Sequence, residues 1–178
     1  VELAVSVGAL VPHKDHATLV AAAGRLRDTR PSLHWVIAGE GPLRPALERQ
    51  IRELDLTGRV HLLGDVPDGR SVLAAGTLCV VSSREEGLNT SVLDAMALGV
   101  PVVSTDAGGL PEALAQGAGL LCPRADPAAL AMLVARVADD AELRARLAAT
   151  ARSRVTQFSS ARMATGMLSV YHSVASAT

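Results

Sequence analysis

Apolar and polar positions alternate along this chain on two scales. Short, continuous apolar runs at residues 3–7, 33–38, 60–63, 78–81, 102–104 and 119–122 are rich in β-branched side chains. Strands buried on both faces of a parallel sheet have this character. Longer amphipathic stretches separate the runs. Residues 15–28 place Leu19, Val20, Ala23 and Leu26 on one helical face, and residues 43–56 do the same with Leu47, Ile51 and Leu54. Shorter helices are expected at 90–98 and 111–115, and longer ones at 127–138, 142–155 and 161–174. This alternation predicts an α/β fold: a Rossmann-like, open, doubly wound parallel sheet with helices on both faces, filling residues 1–178 as a single domain.

Composition narrows the function. With 49% apolar residues, a chain of 178 residues has ample material for a core and is not disordered. Trp35, Phe158 and Tyr171 are its only aromatics, and its net charge is −1 with acids and bases interspersed. Stacking platforms are nearly absent and there is no basic stripe, so nucleic acid is not an expected partner. Cys79 and Cys122 sit in apolar runs without C-x-x-C spacing and read as buried, reduced thiols of a cytoplasmic protein. His13 and His16 flank Lys14, but no third ligand stands at metal spacing, so no metal site and no cofactor are expected. No apolar run reaches the ~18 residues that would span a bilayer. The first residues lack a basic segment and a cleavage pattern and enter a strand at once, as at a cut domain boundary.

Ligands of doubly wound sheets bind beyond the carboxyl ends of the strands. The loops expected there are unusual: V-G-A-L-V-P-H-K after the first strand, A-G-E-G-P after the second, L-G-D-V-P after the third, S-S-R-E-E-G after the fourth and S-T-D-A-G-G-L-P-E after the fifth. Gly8, Gly39, Gly64 and Gly87 thus gather on one rim, where backbone can approach a ligand closely.

The richest segment is 83–99. Two acids and Gly87 follow the fourth strand, and Asn89, Thr90 and Ser91 are good residues for starting a helix that stops at Gly99 before Pro101. The free amides of such a helix start suit a phosphate, and Gly87 removes a side chain that would obstruct it. Glu86 in the turn and Asp94 in the helix could accept hydrogen bonds from separate hydroxyls of one ligand. Asp94 also fits two structural roles, as the acid of a Ser91-to-Asp94 capping box or as a charge favoured by the helix dipole. Lys14, six residues after Gly8, could set a point charge against a diphosphate, although a surface lysine is the simpler reading of it alone. Glu40 in G-E-G-P is explained by a turn that runs into a helix with Pro42 near its start. Glu112 in G-G-L-P-E is explained by the helix dipole.

In this order and spacing the motifs resemble the C-terminal domain of GT-B glycosyltransferases, in particular the large retaining family 4, over nearly the whole chain. The matching segments are V-G-A-L-V-P-H-K-D-H, A-G-E-G-P, V-H-L-L-G, S-S-R-E-E-G-L-N-T-S-V-L-D-A-M-A-L-G-V-P-V-V, G-G-L-P-E and G-L-L-C-P. The resemblance implies a hexosyltransferase-type enzyme that moves a sugar from a nucleotide diphosphate sugar, with retention at the anomeric carbon. UDP is the expected carrier, while the motifs leave base, sugar and acceptor open. It implies catalytic roles for Glu86, at the transferred sugar, and Lys14, at the diphosphate. Asp94 would hold the ribose, Asn89, Thr90 and Ser91 would cradle the diphosphate, and residues 64–66 would lie beside the base.

Three positions depart from the family pattern. Ala9 stands where the family has Arg, Asp94 where it has Glu, and Asn89 where it has a Gly whose αL geometry Asn tolerates. The resemblance also implies a partner, an N-terminal Rossmann-like acceptor domain that this chain lacks, through which alone any peripheral membrane contact would run; the isolated domain is expected to be inactive. The competing readings are a sugar-nucleotide-binding module without catalysis and a GT-B-fold epimerase, against which the acid pair argues. A dinucleotide-dependent dehydrogenase lacks its glycine fingerprint here.

Overall fold

The short apolar runs pair as six parallel strands in the computed structural model, which describes residues 2–175. They are β1 (Glu2–Val7), β2 (Leu33–Ala38), β3 (Val60–Gly64), β4 (Leu78–Val81), β5 (Val102–Thr105) and β6 (Leu120–Cys122), in the spatial order β3-β2-β1-β4-β5-β6. Every residue of β4 and β5 is buried. Their neighbours in sequence face opposite layers, as strand geometry requires. Ala4, Val80 and Val103 enter one core cluster, while Val5, Cys79, Val81 and Val102 enter the other.

Helices cover both layers. Leu19 and Val20 of α1 (His16–Leu26), Leu47 and Ile51 of α2 (Arg44–Glu53), and Leu130 and Val134 of α6 (Pro127–Asp139) close the first layer around buried Trp35. The second is closed by Leu73 of α3 (Gly69–Ala74), Val92 and Met96 of α4 (Thr90–Leu98), Leu110 of α5 (Leu110–Ala113) and Ala151 of α7 (Ala141–Val155). Fully burying each such leucine stabilises the fold by about 2 kcal/mol. The expected doubly wound sheet is therefore observed. One helix, α3, has no counterpart in the sequence expectation. It has six residues, buries only Leu73 and is started by Asp68, whose side chain accepts from the Arg70 amide. That is too short for a helical period to be read.

The last helix, α8 (Ser160–Ala175), buries none of its residues. Met163, Met167, Val170, Tyr171 and Val174 recur on one of its faces and are all exposed. No helix among the described residues is long and apolar enough to cross a membrane.

The strand order reverses between β1 and β4. The chain leaves β1 toward β2 and leaves β4 toward β5, so the two loops diverge and open a crevice at the strands' carboxyl ends. Those two loops carry Lys14 and Glu86.

Candidate functional site

The crevice is built by backbone first. The Gly8 amide donates to the Ala38 carbonyl at 2.9 Å and the Gly39 amide to the Gly64 carbonyl at 2.8 Å, so the ends of β1, β2 and β3 meet. Gly39 lies at φ +144°, and a Cβ there would stand 2.1 Å from the Gly8 oxygen. Three of the expected rim glycines are thus in one place. A single 3₁₀ turn, Pro12–Lys14, then folds the loop back, and the Lys14 stem passes over Gly8.

Lys14 Nζ meets Glu86 Oε1 at 2.6 Å across the crevice. The same oxygen accepts from Ser83 Oγ at 2.6 Å and from Asn89 Nδ2 at 2.8 Å. The Glu86 side chain is 6% exposed and that of Lys14 22%. Burial alone would push the Glu86 carboxyl up, but the hydrogen bonds from Lys14, Ser83 and Asn89 and the Lys14 charge outweigh it and hold the group below the usual carboxylate range. Glu86 is therefore a carboxylate at neutral pH, with one oxygen saturated by donors.

Asn89 starts α4. Its side-chain oxygen accepts from the Val92 amide at 3.0 Å while its amide group holds Glu86. Its backbone lies at φ −77°, ψ 105°, the extended geometry of a helix-capping residue, so Asn89 acts as the helix starter the sequence offers and does not use the αL geometry it would tolerate. The cap at Asn89 also displaces the expected Ser91-to-Asp94 capping box. Thr90 and Ser91 become the first two helical residues, and their amides have no carbonyl one turn back inside the helix. Asp94 lies beyond the first turn, is 36% exposed, and its ion-pair partner is Arg70 Nη1 of α3 at 3.4 Å. Gly99, at φ +72°, ends α4 as expected.

Gly108 and Gly109 were legible only as a tight turn, and the structure gives them a larger part. Gly108 has φ +51°, and a Cβ on it would lie 1.7 Å from the Glu86 oxygen; one on Gly109 would lie 2.7 Å from the Gly87 oxygen. The loop after β5 thus presses its bare backbone against the loop that carries Glu86. Thr105 Oγ1 adds a hydrogen bond to the Ser83 carbonyl at 2.6 Å. A Cβ on Gly87 would meet nothing within 4 Å, so this glycine borders open space. Two open concavities lie along these loops, and Gly87 lines the second. One of about 560 Å³ is lined by Pro12, His13, Asp15, Arg84 and Glu85, and one of about 420 Å³ by His13, Glu85, Glu86 and Gly87.

The bland explanations hold elsewhere on the rim. Glu40 pairs with Arg44 at 2.5 Å, and Glu112 lies in the first turn of α5. Cys79 and Cys122 are buried free thiols, pushed up to about 12 and about 11 chiefly by burial, and are unsuited to act as nucleophiles.

His16, the first residue of α1, is 2% exposed, and its Nδ1 is buried without a hydrogen-bond partner. Burial, aided by the Lys14 charge and opposed by Asp15, pushes its imidazole down to about 4 from 6.5. Protonation then favours the unfolded chain. Stability is greatest above about pH 6.5 and declines as the pH falls toward 4, by up to about 3 kcal/mol from this group. Urea unfolding at pH 7.0 and about pH 4.5 checks this expectation: His16→Gln loses much less stability between the two than the wild type, and equal losses would contradict it.

Known proteins share this fold. The family model described as "Glycosyl transferases group 1" matches residues 1–154. The D-inositol 3-phosphate glycosyltransferase of Corynebacterium efficiens is 34% identical over 175 residues, which are 93% of this chain and 41% of that protein. The sucrose-phosphate synthase of Thermosynechococcus elongatus superposes with a TM-score of 0.85 at 28% identity, covering 99% of this chain and 46% of that one. Anabaena HepE in complex with UDP-glucose superposes with a TM-score of 0.81 at 26% identity, covering 87% of this chain and 44% of that one. The chain spans between 25% and 42% of the length of the first curated relatives it matches.

Proposed function

The chain belongs to the group 1 glycosyltransferases, and from that footing we propose that it is the donor-binding half of an enzyme that moves a sugar from a nucleotide diphosphate sugar to an acceptor, with retention. The observation that carries this reading is the convergence of Lys14, Ser83 and Asn89 on Glu86 Oε1 at the point where the strand order reverses.

The roles follow from charge and geometry. Cleavage of the sugar–phosphate bond builds negative charge on the departing diphosphate. Lys14 and the Thr90 and Ser91 amides of α4 are in place for that charge before it develops. An arriving diphosphate draws Lys14 Nζ away from Glu86. The freed carboxylate then accepts hydrogen bonds from the sugar. Asp94 reaches the ribose hydroxyls in competition with Arg70, and residues 64–66 lie beside the base. HepE, 26% identical, holds UDP-glucose, which favours UDP as the carrier.

The acceptor and the rest of the cleft belong to an N-terminal domain, which the exposed apolar face of α8 also favours as a partner. We place the enzyme in the cytoplasm, where its two buried thiols stay reduced. A second reading, a binding module without catalysis, draws on Ala9 and on the Arg70 contact of Asp94. Turnover of a nucleotide-sugar panel by the full-length protein separates the two.

Calorimetric titration with UDP, GDP and ADP tests the proposal. The expected outcome is weak, saturable binding of one of them to residues 1–178, with no sugar transfer by this chain alone. Absence of heat at millimolar nucleotide would remove the donor site, and robust transfer by residues 1–178 would remove the two-domain reading.

A further inference from the structure

We propose that Asp15 is a positioning residue: with Arg84 it clasps the loop after β1 to the loop after β4 and so sets where Lys14 Nζ stands. The inference rests on the reading of Lys14 as the diphosphate contact. A lysine side chain has a long, flexible stem, so its ammonium is only as well placed as the backbone beneath it.

That backbone is held at three points by the segment that follows β4. The Arg84 amide donates to the His13 carbonyl at 2.8 Å, Ser82 Oγ donates to the Lys14 carbonyl at 3.1 Å, and Arg84 Nε meets Asp15 Oδ2 at 2.7 Å. Asp15 is 5% exposed and lies at φ +46°, ψ +46°, a left-handed conformation that costs most residues about 1–2 kcal/mol and that Asp and Asn adopt most readily among side chains with a Cβ. It also starts α1, accepting from the Thr18 amide through Oδ1 at 3.4 Å and from Thr18 Oγ1 through Oδ2 at 2.8 Å. Asparagine could supply the Oδ1 cap to the Thr18 amide and the left-handed backbone, and its amide group could donate to Thr18 Oγ1 in place of accepting from it. Only the pairing with Arg84 requires the charge. A buried carboxylate one residue from a diphosphate-binding lysine is electrostatically unfavourable for anion binding, so a positional role has to outweigh that cost.

This opposition gives the test its sign. Removing the Asp15 charge by Asp15→Asn should tighten anion binding if the residue acts only through its field. If it positions Lys14, binding weakens. UDP titration of wild type, Asp15→Asn, Arg84→Gln, Lys14→Ala and the Lys14→Ala/Asp15→Asn double variant is the experiment. Asp15→Asn and Arg84→Gln each weaken UDP by roughly tenfold with little change in Tm, and Asp15→Asn adds less than about twofold once Lys14 is gone. Wild-type or tighter affinity in Asp15→Asn, or the same loss with and without Lys14, overturns the inference alone. No UDP binding by the wild type, or none lost in Lys14→Ala, overturns the diphosphate reading and the inference with it.

Discussion

Replacing Glu86 by glutamine is expected to lower sugar transfer by the full-length enzyme roughly a hundredfold, about 3 kcal/mol of transition-state stabilisation, while the domain stays folded. Glutamine keeps the length of the side chain and one carbonyl oxygen for Ser83 and Asn89. It loses the charge that binds Lys14 at 2.6 Å. Hydrogen bonds to a charged group contribute about 1.5–3 kcal/mol, roughly twice those between neutral groups. A carboxylate that accepts from the sugar as positive character develops there contributes most in the transition state, so the loss falls on kcat more than on KM. UDP affinity changes only a few-fold, because Lys14 and the α4 amides remain. Steady-state kinetics with the native donor measure the effect, with Tm as the check on folding. Wild-type turnover in Glu86→Gln would remove Glu86 from the reacting centre.

The second large effect belongs to a residue placed behind the site, away from any ligand. Gly108→Ala puts a methyl group 1.7 Å from the Glu86 carbonyl oxygen and imposes φ +51° on an alanine. Neither the backbone oxygen nor the left-handed geometry can yield cheaply, so a destabilisation of about 3–5 kcal/mol is expected, together with loss of nucleotide binding in whatever remains folded. Gly87→Ala is the contrast. Its Cβ meets nothing within 4 Å and its φ is not positive. The fold tolerates it, and only ligand approach to the α4 amides is narrowed. Urea unfolding of the two variants beside wild type decides the matter: equal stabilities would show that the glycine turn does not support the Glu86 loop.

How much of this was legible in the chain varies with the range of the interaction. β4 and α4 were readable because an apolar run, two acids, three helix-starting residues and a Gly-x-Pro stop stand in sequence order. The links from Ser83 and Asn89 to Glu86 span three residues each and lie within the same local segment. The Lys14–Glu86 contact joins residues 72 apart, and only the strand order that sets β1 beside β4 brings them together. The Asp15–Arg84 pair depends on the same neighbourhood and gave no signal of its own. The short α3 has too few residues to show a helical period, so the Arg70 partner of Asp94 was not legible either. Gly108 showed as a turn, but its pressure on the Glu86 loop is a fact of packing between the ends of β4 and β5.

Asn89 was legible as a helix-starting residue and caps α4, and the αL geometry it would tolerate goes unused for a physical reason. A loop glycine and a helix-capping residue ask for different backbone regions, and at this position the cap prevailed. The side chain gains a second task in exchange, since its amide group steadies Glu86. The substitution at that point of the family pattern is therefore accommodated by a contact a glycine could not make.

A nucleotide diphosphate sugar is expected at the crevice between β1 and β4, with its diphosphate between Lys14 and the start of α4. A crystal structure with UDP bound tests it most directly. Phosphate oxygens are expected within hydrogen-bond distance of Lys14 Nζ and of the Thr90 and Ser91 amides, with Lys14 released from Glu86. A UDP whose phosphates lie elsewhere, with the Lys14–Glu86 pair still closed, would contradict it.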